Sequence, residues 1–319
     1  MKLKFLENQA VGFTILFVLI MIFGGLYVPD YWDRISGLLS KLKLPFLLGA
    51  FILTLFHFML EPLRWRIYLH RNRDAGAVHY GKLLSLFSVT ALVTYVFPAK
   101  LGLPVRMYLL KTQMNLSLAW VAALMAVDGL LSYVIWGIPA VIYFLSDGRV
   151  FFHKGMVVYL VAAACLGILL TICRRKVRKV IDLLSKSVGS IGKTSLVLCT
   201  MIFVVDIVGY VLRHGLILYA AEAKINLIKL GFITTVSIFA GFLSMIPMGM
   251  GAYDASLIFL LSQSGVPHEV SLMVPVVNRA GNILASLVLG IPSSYAMGIS
   301  FLSLKEKAND LKETMGGEK

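Results

Sequence analysis

A few ionisable residues stand inside otherwise apolar stretches: Asp128, Asp206, Arg213, Asp254 and Arg279. A charge is costly in hydrocarbon, so each marks either a function or a partner. Guanidinium forks match the paired oxygens of a phosphate, which makes Arg64, Arg106, Arg213 and Arg279 candidate anion ligands. The carboxylates Asp128 and Asp254 suit a partner arginine or a basic group on a bound molecule. A salt bridge of either with Arg279 would neutralise both charges without any ligand. For Arg64 and Arg213 the competing reading is snorkelling to the membrane interface. His57 and His214 read as packed or interfacial groups, and Glu61 as a near-surface acid that pairs with Arg64 or Arg66. Beside these charges lie two matched breaks, Pro98-x-x-x-Gly102 and Pro247-x-x-x-Gly251. Arg106 follows the first glycine by four residues, and Asp254 follows the second by three. A helix restarting after such a break points unpaired N–H groups and a positive dipole end outward, which suits a phosphate.

The elements that must position these groups are membrane helices. The chain has 319 residues, of which 59% are hydrophobic and only 14% charged, and its mean hydropathy is +0.85. A soluble domain carries about 25% charged residues. The balance excludes a disordered chain, a disulfide scaffold and a soluble enzyme. The net charge of +14 reads as a topology signal with an attraction to anionic headgroups, not as a nucleic-acid footprint. Cys165, Cys173 and Cys199 lie in or beside apolar segments without a CxxC, so neither a disulfide framework nor a metal site is indicated. HExxH, GxSxG and P-loop motifs are absent; no catalytic residue, metal or cofactor is expected. The N-terminal apolar run lacks a cleavage site near Gly24-Gly25 and reads as a retained span.

About 20 apolar residues cross a bilayer as helix. Charge-free or nearly charge-free runs cover 10–29, 44–60, 83–99, 112–146, 155–173, 194–221, 230–253 and 270–304, with a short one at 255–268. Two connectors, 61–82 and 174–193, are strongly basic and belong in the cytoplasm by the positive-inside rule. Both can be cytoplasmic only if 83–117 starts and finishes inside, as a pair of helices broken at Pro98–Gly102. Residues 230–268 form a second broken pair, outside. The same offset of 149 residues relates Pro98 to Pro247, Gly102 to Gly251 and Arg64 to Arg213, and it places His57 over Asp206. The expected architecture is an all-α integral membrane protein with about six spanning helices plus two broken re-entrant pairs, arranged as an inverted repeat. One polytopic domain covers 1–304, with repeat one at about 44–146, repeat two at about 193–300, and a short tail at 305–319. Both termini are expected in the cytoplasm. Interrupted helices at matching places in inverted halves point to an alternating-access site near the midplane, because stranded backbone groups persist only where they line a cavity or pack on protein.

The broken segments also carry a resemblance. Phe97-Pro98-Ala99-Lys100-Leu101-Gly102 with Arg106-Met107-Tyr108-Leu109-Leu110 resembles the first motif of the lysylphosphatidylglycerol synthase transmembrane, or flippase-like, family. Ser244-Met245-Ile246-Pro247-Met248-Gly249-Met250-Gly251-Ala252-Tyr253-Asp254, then Gly265-Val266 and Arg279, resembles the second, and the likeness covers roughly 8–300. The resemblance implies a cell-membrane protein that moves lipids or lipid-linked sugars between leaflets, with Arg106 and Arg279 on the headgroup phosphate and Asp254 and Asp128 on them or on a basic headgroup. The remaining site candidates are Pro98, Gly102, Pro247, Gly251, Arg64 and Arg213. The family's acidic residue after the first glycine is here Leu103 followed by Pro104, and its second-motif Glu is Asp254. Synthase members carry a large soluble aminoacyl-transfer domain after the spans; this chain stops within about 20 residues of its last span, so a translocator without intrinsic chemistry is expected. The expected partners are anionic phospholipid or a polyprenyl-phosphate sugar, with a second copy or a separate enzyme as further candidates. The competing functions are a scaffold for a separate lipid-modifying enzyme or glycosyltransferase, and a membrane-embedded headgroup transferase.

Overall fold

The computed structural model of the chain describes residues 42–70, 78–96, 102–146, 192–244 and 251–299, together with Gly37. The expected spans at 10–29 and 155–173, most of the connector 174–193, Pro98, Pro247 and the tail lie outside the described residues. Among those described, all regular structure is helical. In chain order the helices are α1 (Leu44–His70), α2 (Tyr80–Val96), α3 (Gly102–Met114), α4 (Leu118–Ser146), α5 (Lys193–Ala220), α6 (Leu227–Leu243), α7 (Ala252–Gln263) and α8 (His268–Ala296).

Length sorts them. At 1.5 Å per residue, the 27 residues of α1 span about 40 Å, while the 12 of α7 span about 18 Å. A bilayer core is about 30 Å thick. Among the described residues four helices are long and apolar enough to cross it: 44–70, 118–142, 193–220 and 268–296. The shorter helices come as two consecutive pairs, α2 with α3 and α6 with α7, within the segments 80–114 and 227–263.

The polarity of the packing is that of a membrane protein. Large apolar side chains face outward, among them Leu48, Ile52, Ile138 and Val204, whereas Arg64, Asp128, Asp206, Arg213 and His214 are buried. Only a lipid exterior makes that distribution favourable. Two hydroxyls of α2 are satisfied locally, Thr90 Oγ1 donating to the Phe87 carbonyl at 2.8 Å and Thr94 Oγ1 to the Thr90 carbonyl at 2.7 Å.

One boundary differs from expectation. The helix expected to end at Leu60 continues ten residues to His70 and takes in Glu61, Pro62 and Arg64. Charge does not end it because Glu61 and Arg64 find partners on neighbouring helices, and the buried Arg64 does not snorkel. As the expected segment 83–117 requires, the apolar run 112–146 divides at Asn115, whose φ is 54°. Ser117 Oγ then accepts from the Trp120 N–H at 3.3 Å as α4 begins.

The offset of 149 residues that separates His57 from Asp206 carries α1 onto α5, α2 onto α6, α3 onto α7 and α4 onto α8, every boundary matching to within two residues. Packing follows the same rule. α1 lies on α5; α2 on α8 is matched by α6 on α4; α1 on α2 by α5 on α6; α2 on α3 by α6 on α7; α3 on α4 by α7 on α8; and α1 on α8 by α5 on α4. Beyond the spans, Lys43 meets Glu222 at 2.9 Å and its N–H donates to the Ala220 carbonyl at 3.1 Å, tying the start of α1 to the turn after α5. The hydrogen bond from the Lys43 ammonium, with its charge, holds the Glu222 carboxyl below the usual range.

Candidate functional site

The glycines at the two breaks are required for different reasons. A Cβ on Gly102 would lie 1.9 Å from Thr94 Oγ1, so glycine lets the start of α3 press against the end of α2. Gly251 has φ 90°, in the left-handed region, and caps α7. Asp254, at the third position of α7, accepts from the Gly251 N–H at 3.1 Å through Oδ2. The positive end of α7 is thereby already served by a carboxylate of its own chain.

A cavity of about 150 Å³ opens where α1, α2 and α3 converge beside the first break, its lining including His57, Glu61, Phe58, Phe87, Tyr95 and Arg106. Its charged wall is a bidentate pair: Arg106 Nη1 donates to Glu61 Oε1 at 2.5 Å and Nη2 to Oε2 at 3.3 Å. The guanidinium carbon sits 4.5 Å over the Phe87 ring. Both side chains keep some exposure, 17% for Arg106 and 32% for Glu61. The cavity thus combines aromatic walls with an accessible cation that is held but not sealed. Glu61 was expected to pair with Arg64 or Arg66; Arg64 is taken by Asp128, and Arg106 takes the carboxylate. His57, Glu61 and Arg64 lie at i, i+4 and i+7, one face of α1, and that spacing was the available signal.

Beside the second break, Arg279 Nε donates to Asp254 Oδ1 at 3.1 Å and Nη2 to Oδ2 at 2.5 Å, with 27% and 22% exposure. This is the expected Asp254–Arg279 salt bridge. Asp128 does not join Arg279. It is buried against Arg64, whose Nε donates to Oδ1 at 3.1 Å and Nη2 to Oδ2 at 3.5 Å, while Tyr68 Oη donates to Oδ1 at 3.0 Å. Phe203 of α5 closes the face of Arg64 at 3.9 Å.

Between the two halves runs a buried polar network. His57 Nδ1 meets Asp206 Oδ1 at 2.5 Å and its Nε2 lies 3.3 Å from Tyr210 Oη. Arg213 stacks on the Tyr210 ring at 4.2 Å and donates through Nη1 to Asn282 Oδ1 at 3.1 Å and Thr54 Oγ1 at 3.4 Å. Arg213 is likewise buried and does not snorkel. His214 is packed against Thr234 Oγ1 and Tyr253 Oη, and Asn278 Nδ2 donates to Tyr253 Oη at 3.2 Å. Among the described residues no group of three His, Cys, Asp or Glu side chains is placed to hold a metal ion.

Helices with lipid-facing apolar exteriors around a polar, ion-paired interior define a multi-pass membrane protein. The chain belongs to the family described as the lysylphosphatidylglycerol synthase TM region, whose model matches residues 9–290. No curated protein and no solved structure matches the chain.

Proposed function

We propose that this protein binds the phosphate-bearing headgroup of a phospholipid or lipid-linked sugar and carries it between leaflets by alternating access, without covalent chemistry. The carrying observation is the repeated helix register. Equivalent helices α1 and α5 pack on each other, and the equivalent residues His57 and Asp206 touch. Two copies of a motif related by a two-fold axis bring equivalent residues into contact only on that axis. This supports an inverted repeat whose halves meet at a central seam, with α2–α3 and α6–α7 as re-entrant pairs opening to opposite sides and both termini in the cytoplasm. Family membership favours lipid as the cargo.

Each half contributes one partly accessible ion pair beside its break, Glu61–Arg106 and Asp254–Arg279. An incoming phosphate competes with the carboxylate for the arginine. The displaced carboxylate can take up a basic headgroup, so anionic and zwitterionic lipids both have complementary groups. Arg64 and Asp128, bound to each other and to Tyr68, act as a fixed strut.

The test is leaflet exchange in proteoliposomes. Fluorescent phosphatidylglycerol, phosphatidylethanolamine and a polyprenyl-phosphate sugar are offered in separate preparations, and outer-leaflet label is quenched chemically. Faster loss of inner-leaflet label than in protein-free vesicles is expected for at least one cargo. No acceleration for any of them would remove the translocation reading.

A further inference from the structure

The two arginines related by the repeat are treated differently by their surroundings. Arg64 gives its Nε and Nη2 to the oxygens of Asp128, and Arg279 gives the same edge to Asp254. This is the edge by which a guanidinium holds a carboxylate or phosphate bidentately. In Arg213 that edge has no partner: Nε and Nη2 are both buried and unbonded, and the residue is 2% exposed. The acceptors next to Arg213, Asn282 and Thr54, are neutral and use only Nη1. The acid on its own helix, Asp206, is engaged by His57. The Tyr210 ring offsets part of the charge but supplies no counter-ion. A buried cation kept without a carboxylate on its binding edge is strongly disfavoured unless an anion visits it.

Its position fits such a visitor. The Tyr210 beneath Arg213 meets His57, and His57 lines the cavity that holds the Glu61–Arg106 pair. On the other side Asn282, which Arg213 contacts, lies one helical turn beyond Arg279 on α8. Arg213 therefore stands behind the cavity wall, between the two accessible ion pairs.

We infer that Arg213 is the central phosphate-binding group of this protein. A phosphate mono- or diester engages its Nε–Nη2 edge after leaving Arg106 and before reaching Arg279, and opening the His57–Tyr210 contact admits it. Passage from one arginine to the next rests on the translocation reading; the anion site does not.

The full-length chain in detergent carries the test in an Arg106→Gln background, which removes the cavity's own arginine, and the share of binding due to Arg213 is read from two further substitutions. The probes are dihexanoylphosphatidylglycerol and inorganic phosphate, titrated separately. Arg213→Gln removes the cation. Asn282→Asp keeps the shape and sets a carboxylate where the amide oxygen already meets Arg213, so a folded protein that melts no lower than its parent is expected. Saturable binding of at least one probe, weakened at least tenfold by each substitution, is the expected result. Binding of the lipid alone identifies a headgroup as the source of the phosphate, and binding of both identifies a general phosphate site. No saturable binding in the background protein, or binding by folded Arg213→Gln and Asn282→Asp proteins equal to that of the background, would overturn the inference. If Arg213-dependent binding is found while wild-type proteoliposomes exchange no lipid, the site stands and the translocation reading fails. If wild-type exchange is present and both substitutions leave binding and exchange unchanged, the reverse holds.

Discussion

Glu61 is the group against which a headgroup must compete, so its charge sets the affinity of the cavity. Glu61→Gln keeps the side-chain shape and one acceptor for Arg106 but removes the anion. Two unit charges about 4 Å apart interact by about 4 kcal/mol at an effective dielectric near 20. Hydrogen bonds to charged groups contribute about 1.5–3 kcal/mol in mutational series. With Arg106 at 17% and Glu61 at 32% exposure, solvent screening favours the lower range, about 2 kcal/mol. Removing the competitor should tighten phosphate binding by that amount, roughly 25-fold at about 1.4 kcal/mol per decade. Titration of dihexanoylphosphatidylglycerol into purified wild-type and Glu61→Gln protein measures it directly. Arg106→Gln, with the cation gone, should bind at least tenfold more weakly than wild type. Tighter binding should also slow release, so lipid exchange falls although affinity rises. If Glu61→Gln binds within twofold of wild type, or more weakly, the headgroup does not compete for Arg106 and the cavity assignment is wrong.

Three further expectations follow from the geometry. Gly251→Ala forces a side chain to φ 90° and should destabilise the protein by about 1–2 kcal/mol, read as a lower melting temperature in detergent. Asp128→Asn strands Arg64 and should destabilise by roughly 3 kcal/mol, whereas the apolar pair Arg64→Met with Asp128→Leu should recover most of that loss and retain lipid exchange; loss of exchange in the stable double variant would place Arg64 among the ligands. Single cysteines at the exposed sites Ser117→Cys, on the turn after α3, and Gln263→Cys, at the end of α7, should react with an impermeant maleimide from opposite sides of the membrane, in a background with Cys165, Cys173 and Cys199 replaced. Labelling from the same side would exclude inversion.

Much of the frame was legible in the chain. The charge-free or nearly charge-free runs at 44–60, 194–221 and 270–304 mark three of the long helices. The offset of 149 predicted the pairing of helix boundaries before any packing was known. The partners of the charges were not legible. Glu61 reaches Arg106 across 45 residues and Arg64 reaches Asp128 across 64, distances over which sequence carries no geometric information. Hydropathy counted Arg64 as the start of a connector because it scores a charge without its counter-ion. The offset also placed His57 over Asp206, yet equivalence alone does not say that two residues touch. That needs the position of the axis, which only the packing of α1 on α5 supplies.

The charge distribution explains why the interior tolerates so many ions. Glu61 with Arg106, Arg64 with Asp128, and Asp254 with Arg279 each cancel locally. Asp206 and Arg213 remain, opposite in sign but seven residues apart on α5. An axial rise of about 10 Å separates them, and at that distance their attraction is under about 2 kcal/mol at an effective dielectric near 20. The bidentate pairs, at about 3 Å, are bound far more strongly. The buried charges of α5 thus sum to zero but leave one point unsatisfied, the Nε–Nη2 edge of Arg213. A carboxylate on that edge, as Asp128 is on Arg64, would close it permanently. Left open, it suits an anion that can depart, which is what separates a carrier's central site from a strut.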